Sequence, residues 1–124
     1  MITFDEFKKA EIKIGTILSA EKVPEADRLI KLIINIGEEN PRQILSGIAE
    51  YYPDPAVLVG KQVPVLANLA PRTIRGIESQ GMVLYAVGLK PVEQVLPTTE
   101  GGIGEGFLVT IEPSREIPAG TNVQ

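Results

Sequence analysis

The stretch Ile12-Lys13-Ile14-Gly15-Thr16-Ile17-Leu18-Ser19-Ala20 decides the fold. It reads as a strand: Ile12, Ile14, Leu18 and Ala20 fall on one face and Lys13, Gly15 and Ser19 on the other, with Ile17 breaking the alternation. A glycine inside a long strand marks a sharp bend, so the spacing predicts a strongly curved first strand. Downstream, Pro24–Asp27 is a turn, and Leu29–Ile36 is a second strand with Ile30, Leu32, Ile34 and Ile36 on one side. Gly37–Pro41 is a polar turn and Arg42–Ala49 a third strand. Asp54 and Pro55 can cap and open a helical turn over Ala56–Val59, closed by Gly60. Lys61–Leu69 and Gly81–Val87 are the fourth and fifth strands, and Pro71 stops the fourth. Upstream, Thr3 and Glu6 fit a capping box for a short helix, with Phe4 and Phe7 on one face. The expected class is all-β. Five short strands with an early glycine and a helical turn between the third and fourth outline a five-stranded OB-fold barrel, an outline shared by other small barrels and sandwiches.

Between the last two strands lies a loop that carries Asn68, Arg72, Arg75, Glu78, Ser79 and Gln80. Donor-rich loops held by stiff strands are where binding residues concentrate, although a surface loop is also polar without any ligand.

Composition narrows the function. The 124 residues argue for one domain, and 44% hydrophobic content suffices for a core. Cysteine and histidine are both absent, which removes disulfides, thiol nucleophiles, the commonest general base and the commonest metal ligands. The remaining Ser, Thr and Lys show no catalytic motif, so neither an enzyme nor a metal or organic cofactor is expected. No apolar run reaches membrane-spanning or signal-peptide length, which points to the cytoplasm. The formal net charge of −4 is unevenly placed. Residues 1–90 hold 11 basic and 11 acidic groups, whereas residues 91–124 hold 1 basic and 5 acidic. The first part can therefore carry a local basic patch even though the whole chain is acidic.

After Leu89 two more short strands are expected, Glu93–Leu96 and Phe107–Ile111, joined through Gly101-Gly102-Ile103-Gly104. No Lys-Ser/Thr follows these glycines, so they read as a turn and not as a phosphate loop. Val95, Leu96, Phe107, Leu108, Val109 and Ile111 are too apolar to leave in water. The reading is one domain, with residues 4–90 as the barrel core and 91–124 as a β extension that, with the first helix, builds a homodimer.

Four blocks, EIKIGTILSAEKV, PEADRLIKLIINIG, RQILSGIAEYYPDPAVLVGK and ANLAPRTIRGIESQGMVLYA, resemble in order and spacing the tRNA-binding domain of the C-terminus of bacterial methionyl-tRNA synthetases. That domain also occurs as a stand-alone structure-specific tRNA-binding protein. The closing PAGTNVQ is similar to the end of those synthetases, and Met1 with its capped helix fits an intact start. The resemblance implies a homodimeric OB-fold that grips the outer corner of folded tRNA by shape, without catalysis, and works with an aminoacyl-tRNA synthetase or as part of one.

The residues read on their own agree in part. None of the six aromatics, three Phe and three Tyr, lies in the second or third strand, which argues against general single-strand stacking and for recognition of a folded backbone. Arg72 and Arg75 suit phosphates. Asn68, Ser79 and Gln80 suit 2′-hydroxyls. Lys31 and Lys13 sit on the outward strand face, and the resemblance adds Met82, Arg42 and Ser46. Each of these polar residues could instead be solvated, paired with Glu78, or spent on turn chemistry. An acidic pI of about 4.9 and Thr73, where the family often has a basic residue, lead to an expectation of weak, salt-sensitive binding that dimerisation strengthens. The competing expectation is a dimeric peptide-binding chaperone of secretion with a related OB-fold. Against it stand the blocks SGIA and ESQGM and the lack of an obvious outward apolar groove.

Overall fold

The structure, a computed structural model, describes residues 1–89, 102–103 and 106–124. Its described residues are all-β apart from α1 (Phe4–Lys8) and one 3₁₀ turn (Pro55–Leu58). Thr3 and Glu6 form the expected capping box: the Thr3 hydroxyl accepts from the Glu6 N–H, and the Glu6 carboxylate accepts from the Thr3 N–H. Asp54 caps the 3₁₀ turn, with Pro55 at its start.

β1 (Ile12–Val23) is the centre of the main sheet. It pairs antiparallel with β2 (Ala26–Asn35) along its second half and with β4 (Gln62–Leu66) along its first. β3 (Arg42–Ser46) adds to β2, and β7 (Met82–Val83) adds to β4, giving the order β3-β2-β1-β4-β7. The alternation predicted for the second strand holds, since Ile30, Leu32, Ile34 and Ile36 are all fully buried. The alternation predicted for the first does not. The register steps from Ile17 opposite Ile34 to Ser19 opposite Ile33, so Leu18 is the extra residue of a bulge. Ile17 then turns inward at 1% exposure while Leu18 turns out at 48%. Gly15 makes the bend possible, because a Cβ there would lie 2.5 Å from the Ile34 Cγ2 and 2.9 Å from the Ile36 Cγ2.

The expected fifth strand is two strands. β7 stays with β4; Leu84 donates its N–H to the Pro64 carbonyl; and β8 (Tyr85–Leu89) swings away to a second sheet, β8-β10-β9, with β10 at Gly106–Thr110 and β9 at Gly102–Ile103. Strand material from the expected core thus belongs to the extension's sheet. Leu108 returns to the main core, where the Tyr52 hydroxyl donates to its carbonyl. The predicted strand at Glu93–Leu96 lies outside the described residues.

The described end of the tail docks on its own chain. β11 (Asn122–Val123) pairs with Ile12 and Lys13, continuing along β1 where β2 has left it. Gly120 donates to the Ile14 carbonyl, and Ile14 donates to the Thr121 carbonyl. Gly120 has φ +93°, and a Cβ on it would lie 2.7 Å from the Ile36 carbonyl oxygen, so the approach requires glycine.

The backbone ladder does not close among the described residues: β3 and β7 are not paired with each other, and the sheet is an open one where a full barrel was expected. Side chains bridge this seam, as described next.

Candidate nucleic-acid interface

The segment from Asn68 to Ser79, expected as a loop, contains a hairpin of β5 (Arg72–Ile74) and β6 (Ile77–Ser79). Its two-residue tip, Arg75-Gly76, has φ of +54° and +77°, the double left-handed conformation of a type I′ turn. Ile74 and Ile77 face each other and pack on a satellite cluster of Val23, Ala26, Leu29 and Leu45 from β1, β2 and β3, separate from the main core. The apolar side of the hairpin is therefore fastened down. Arg72, Thr73, Arg75 and Glu78 remain exposed.

Fastening continues along the free edge of β3. The Gln80 N–H donates to the Gln43 carbonyl at 2.8 Å, and the Gln43 N–H donates to the Gln80 Oε1 at 3.0 Å. The Gln43 side chain donates to the Glu78 carbonyl. The Leu45 N–H donates to the Ser79 Oγ at 3.0 Å, and that hydroxyl lies toward the Gly81 carbonyl at 3.3 Å. Ser79 is 6% exposed. These bonds stand where ladder bonds of a closed barrel would be, and they leave no buried side-chain polar atom unsatisfied among the described residues.

Arg42 pins the base of the same excursion. Its guanidinium donates to the Ala67 carbonyl just before the excursion and to the Gln80 carbonyl just after it. Glu38 holds the other side through two bonds of 2.8 Å. The Arg42 hydrogen bond keeps the Glu38 carboxyl below its ordinary pKa, and the same bond raises the Arg42 pKa. Asn68 is also engaged: its Nδ2 donates to the Lys9 carbonyl at 2.6 Å, and its Oδ1 accepts from the Glu11 N–H at 2.9 Å. Ser46 is buried and accepts from the Tyr85 hydroxyl at 3.1 Å; burial pushes the Tyr85 phenol up to about 12.

Two open clefts flank the ridge Leu69-Ala70. One, of about 700 Å³, is lined by Arg42, Asn68 and Gln80, with Glu38 and Glu39 on its wall. The other, of about 460 Å³, is lined by Ser46, Arg72, Ser79 and Met82 among apolar residues that include Leu29, Leu69 and Ile74. Seven of the ten expected site residues are thus gathered around one ridge. Arg75 stands apart at the hairpin tip, beside a smaller cleft with Glu25 and Asp27. Lys31 pairs with Glu21 at 2.8 Å on the outer face of β2, and Lys13 lies half-buried on β1 between β4 and β11. Arg72 and Arg75 have no ion-pair partner among the described residues, so the pairing with Glu78 considered from sequence is not made. Sequence reading passed over Gln43 and Glu38, which fix the excursion. It also passed over Ile74 and Ile77, whose symmetric placement around Arg75-Gly76 was a usable hairpin signal.

The geometry is that of a small all-β binding module, in which a rigid sheet presents an arginine-bearing hairpin beside two open clefts. The chain belongs to the tRNA-binding domain family: the family model described as "Putative tRNA binding domain", a non-catalytic domain, matches residues 12–122. It is 43% identical over 122 residues to the methionine–tRNA ligase of Enterococcus faecalis, covering 98% of this chain and 16% of that enzyme. Against the ligase of Methanosphaerula palustris the identity is 54% over 86 residues, 69% of this chain and 13% of the enzyme. The chain spans less than a fifth of the length of either ligase. Among solved structures, a MetRS-related protein from Pyrococcus horikoshii superposes with a TM-score of 0.79 at 33% identity, covering 100% of this chain and 98% of that one. The chaperone CsaA of Bacillus anthracis does so at 0.74 and 27% identity, with 100% and 99% coverage. No helix of the described residues is long and apolar enough to cross a membrane.

Proposed function

We propose that this chain binds folded tRNA by its shape, through the Asn68–Ser79 excursion, as a homodimeric non-catalytic module in the cytoplasm. The observation that carries this reading is the hairpin: its apolar side packs on the sheet while Arg72 and Arg75 are exposed and have no ion-pair partner among the described residues. Exposed arginines on an anchored hairpin are suited to phosphate oxygens; Ser79 shares a cleft with Arg72, and Asn68 and Gln80 line the neighbouring one across the Leu69-Ala70 ridge. The module serves aminoacylation, either as the C-terminal domain of a methionyl-tRNA synthetase or as a stand-alone protein acting beside a synthetase. The matched ligases support that reading.

Residues 91–124 and α1 supply the dimer contact. α1 buries none of its residues, and Phe4 and Phe7 border a cleft of about 240 Å³ with Ile12 and Val123. Val87, Leu89, Val109 and Ile111 are exposed on the second sheet and just beyond it.

Binding of assorted tRNAs at several salt concentrations tests the proposal. Affinities should be similar across tRNAs, and log K should fall linearly with log salt by about 0.7–0.9 per phosphate contact. Arg72→Ala should weaken binding by about 1–3 kcal/mol and leave the melting temperature unmoved. Salt-independent binding, or strong preference for one anticodon, would refute it.

A second reading, peptide binding, draws on the likeness to CsaA and on the apolar lining of the 460 Å³ cleft, a groove not foreseen from the sequence. It requires that an apolar peptide bind there and that tRNA fail to displace it.

A further inference from the structure

We infer that Arg42, although it lines the larger cleft, is a positioning residue that clamps the two feet of the Asn68–Ser79 excursion and makes no phosphate contact. The inference rests on the reading of that excursion as the RNA-contacting element. Three observations carry it. First, the acceptors are placed at the two points where the excursion leaves and rejoins the sheet, the Ala67 carbonyl at the end of β4 and the Gln80 carbonyl just after β6. One planar guanidinium therefore ties the two feet together just beyond the Leu66–Met82 pair of β4 and β7, from a strand that belongs to neither foot. Second, the charge is already committed. Glu38 takes the Nε and Nη2 donors at 2.8 Å each, and the side chain is only 21% exposed. A phosphate would have to displace a carboxylate held by two charge-assisted bonds, with a second acid, Glu39, on the cleft wall. Third, β3 and β7 are not paired with each other, so beyond the β4–β7 pair Leu66–Met82 the base of the hairpin is held by the Gln80 N–H bond to the Gln43 carbonyl and by the side chains of Gln43, Gln80 and Arg42.

The arrangement has a directional consequence. A loosened base does not remove phosphate contacts; it obliges RNA to re-order the hairpin on binding. That cost weakens affinity without changing the number of counterions released. A phosphate contact behaves in the opposite way: its loss lowers the salt slope, and lysine, a point charge, keeps most of it.

Arg42→Lys and Arg42→Gln in the full chain separate the two. Lysine keeps the charge but cannot span two carbonyls and a carboxylate. With Arg42 as a clamp, both variants bind tRNA roughly three- to thirtyfold more weakly than wild type, with the slope of log K against log salt unchanged. Amide hydrogen exchange without RNA should accelerate over residues 72–80 in both variants, while amides of β1 and β2 keep their protection. Three results overturn the inference: Arg42→Lys binding like wild type while Arg42→Gln loses about 0.7–0.9 of slope; exchange in residues 72–80 unchanged; or protection falling uniformly through β1 and β2, which marks a general stabilising role. Failure of the wild-type chain to bind tRNA refutes the proposed function and leaves the exchange experiment as the test of the clamp.

Discussion

Ser79→Ala removes one oxygen and isolates the seam's contribution to stability. In the wild type the buried Ser79 hydroxyl accepts from the Leu45 N–H at 3.0 Å, on the edge of β3 that has no ladder partner among the described residues. The alanine variant leaves that N–H without its partner. An unmade buried bond costs about 1–3 kcal/mol, and the void left by a single oxygen adds little. For a chain of this size each kcal/mol moves the melting temperature by about 4 °C, so a fall of about 4–12 °C is expected. Thermal unfolding followed by circular dichroism reads the global cost, and amide exchange at Leu45 reads the local one. Both should respond, with the Leu45 amide accelerating more than amides in β2. If the melting temperature and the Leu45 amide stay unchanged while tRNA affinity falls, the hydroxyl serves the RNA and the seam argument is wrong.

The Tyr85 phenol titrates at about 12 because burial disfavours its anion, so the folded state favours the neutral form. Its stabilisation is complete below the ordinary phenol pKa of about 10 and is lost as pH rises from there toward 12, at most about 3 kcal/mol. Tyr85→Phe should flatten that alkaline limb of the stability profile and delete a tyrosinate absorbance that rises toward pH 12; an unchanged alkaline limb would count against it. Gly15→Ala should destabilise by about 1–3 kcal/mol, since its methyl enters the space of Ile34 and Ile36, and a denaturation midpoint equal to wild type would disprove the close packing. Light scattering at micromolar concentration should report about twice the 13.4 kDa chain mass, and a well-behaved monomer would remove the dimer from the proposed function.

What the sequence made legible is what repeats along the chain. Ile30, Leu32, Ile34 and Ile36 keep strict alternation, and Thr3 and Glu6 keep the capping-box spacing; each appears as expected. The Leu18 bulge was hidden because a bulge cancels the alternation by which strands are recognised. The β5–β6 hairpin was passed over because Arg75 occupies a turn position where Asn or Asp is the usual signal, which left the Ile74–Ile77 pair as its one cue. The candidate site was legible as a neighbourhood, since Asn68, Arg72, Ser79 and Gln80 do line clefts on the two sides of one ridge, with Arg75 apart at the hairpin tip. Roles within it were not legible. Asn68, Ser46, Ser79 and Gln80 spend hydrogen-bonding groups on the chain itself, and a side chain that closes a sheet edge has the same chemistry in sequence as one that reaches for a ribose.

The left-handed backbone of Arg75 bears on how this domain would respond to redesign. Asn or Gly at that tip would relax the turn, because a side chain branching from an arginine Cβ pays about 1 kcal/mol to hold φ at +54°. A procedure that scores folding alone would therefore replace Arg75 early and return a more heat-resistant chain. It would also erase one of the hairpin's two exposed cations, so a library enriched only for thermal resistance should drift toward lower tRNA retention, with position 75 among the first to change.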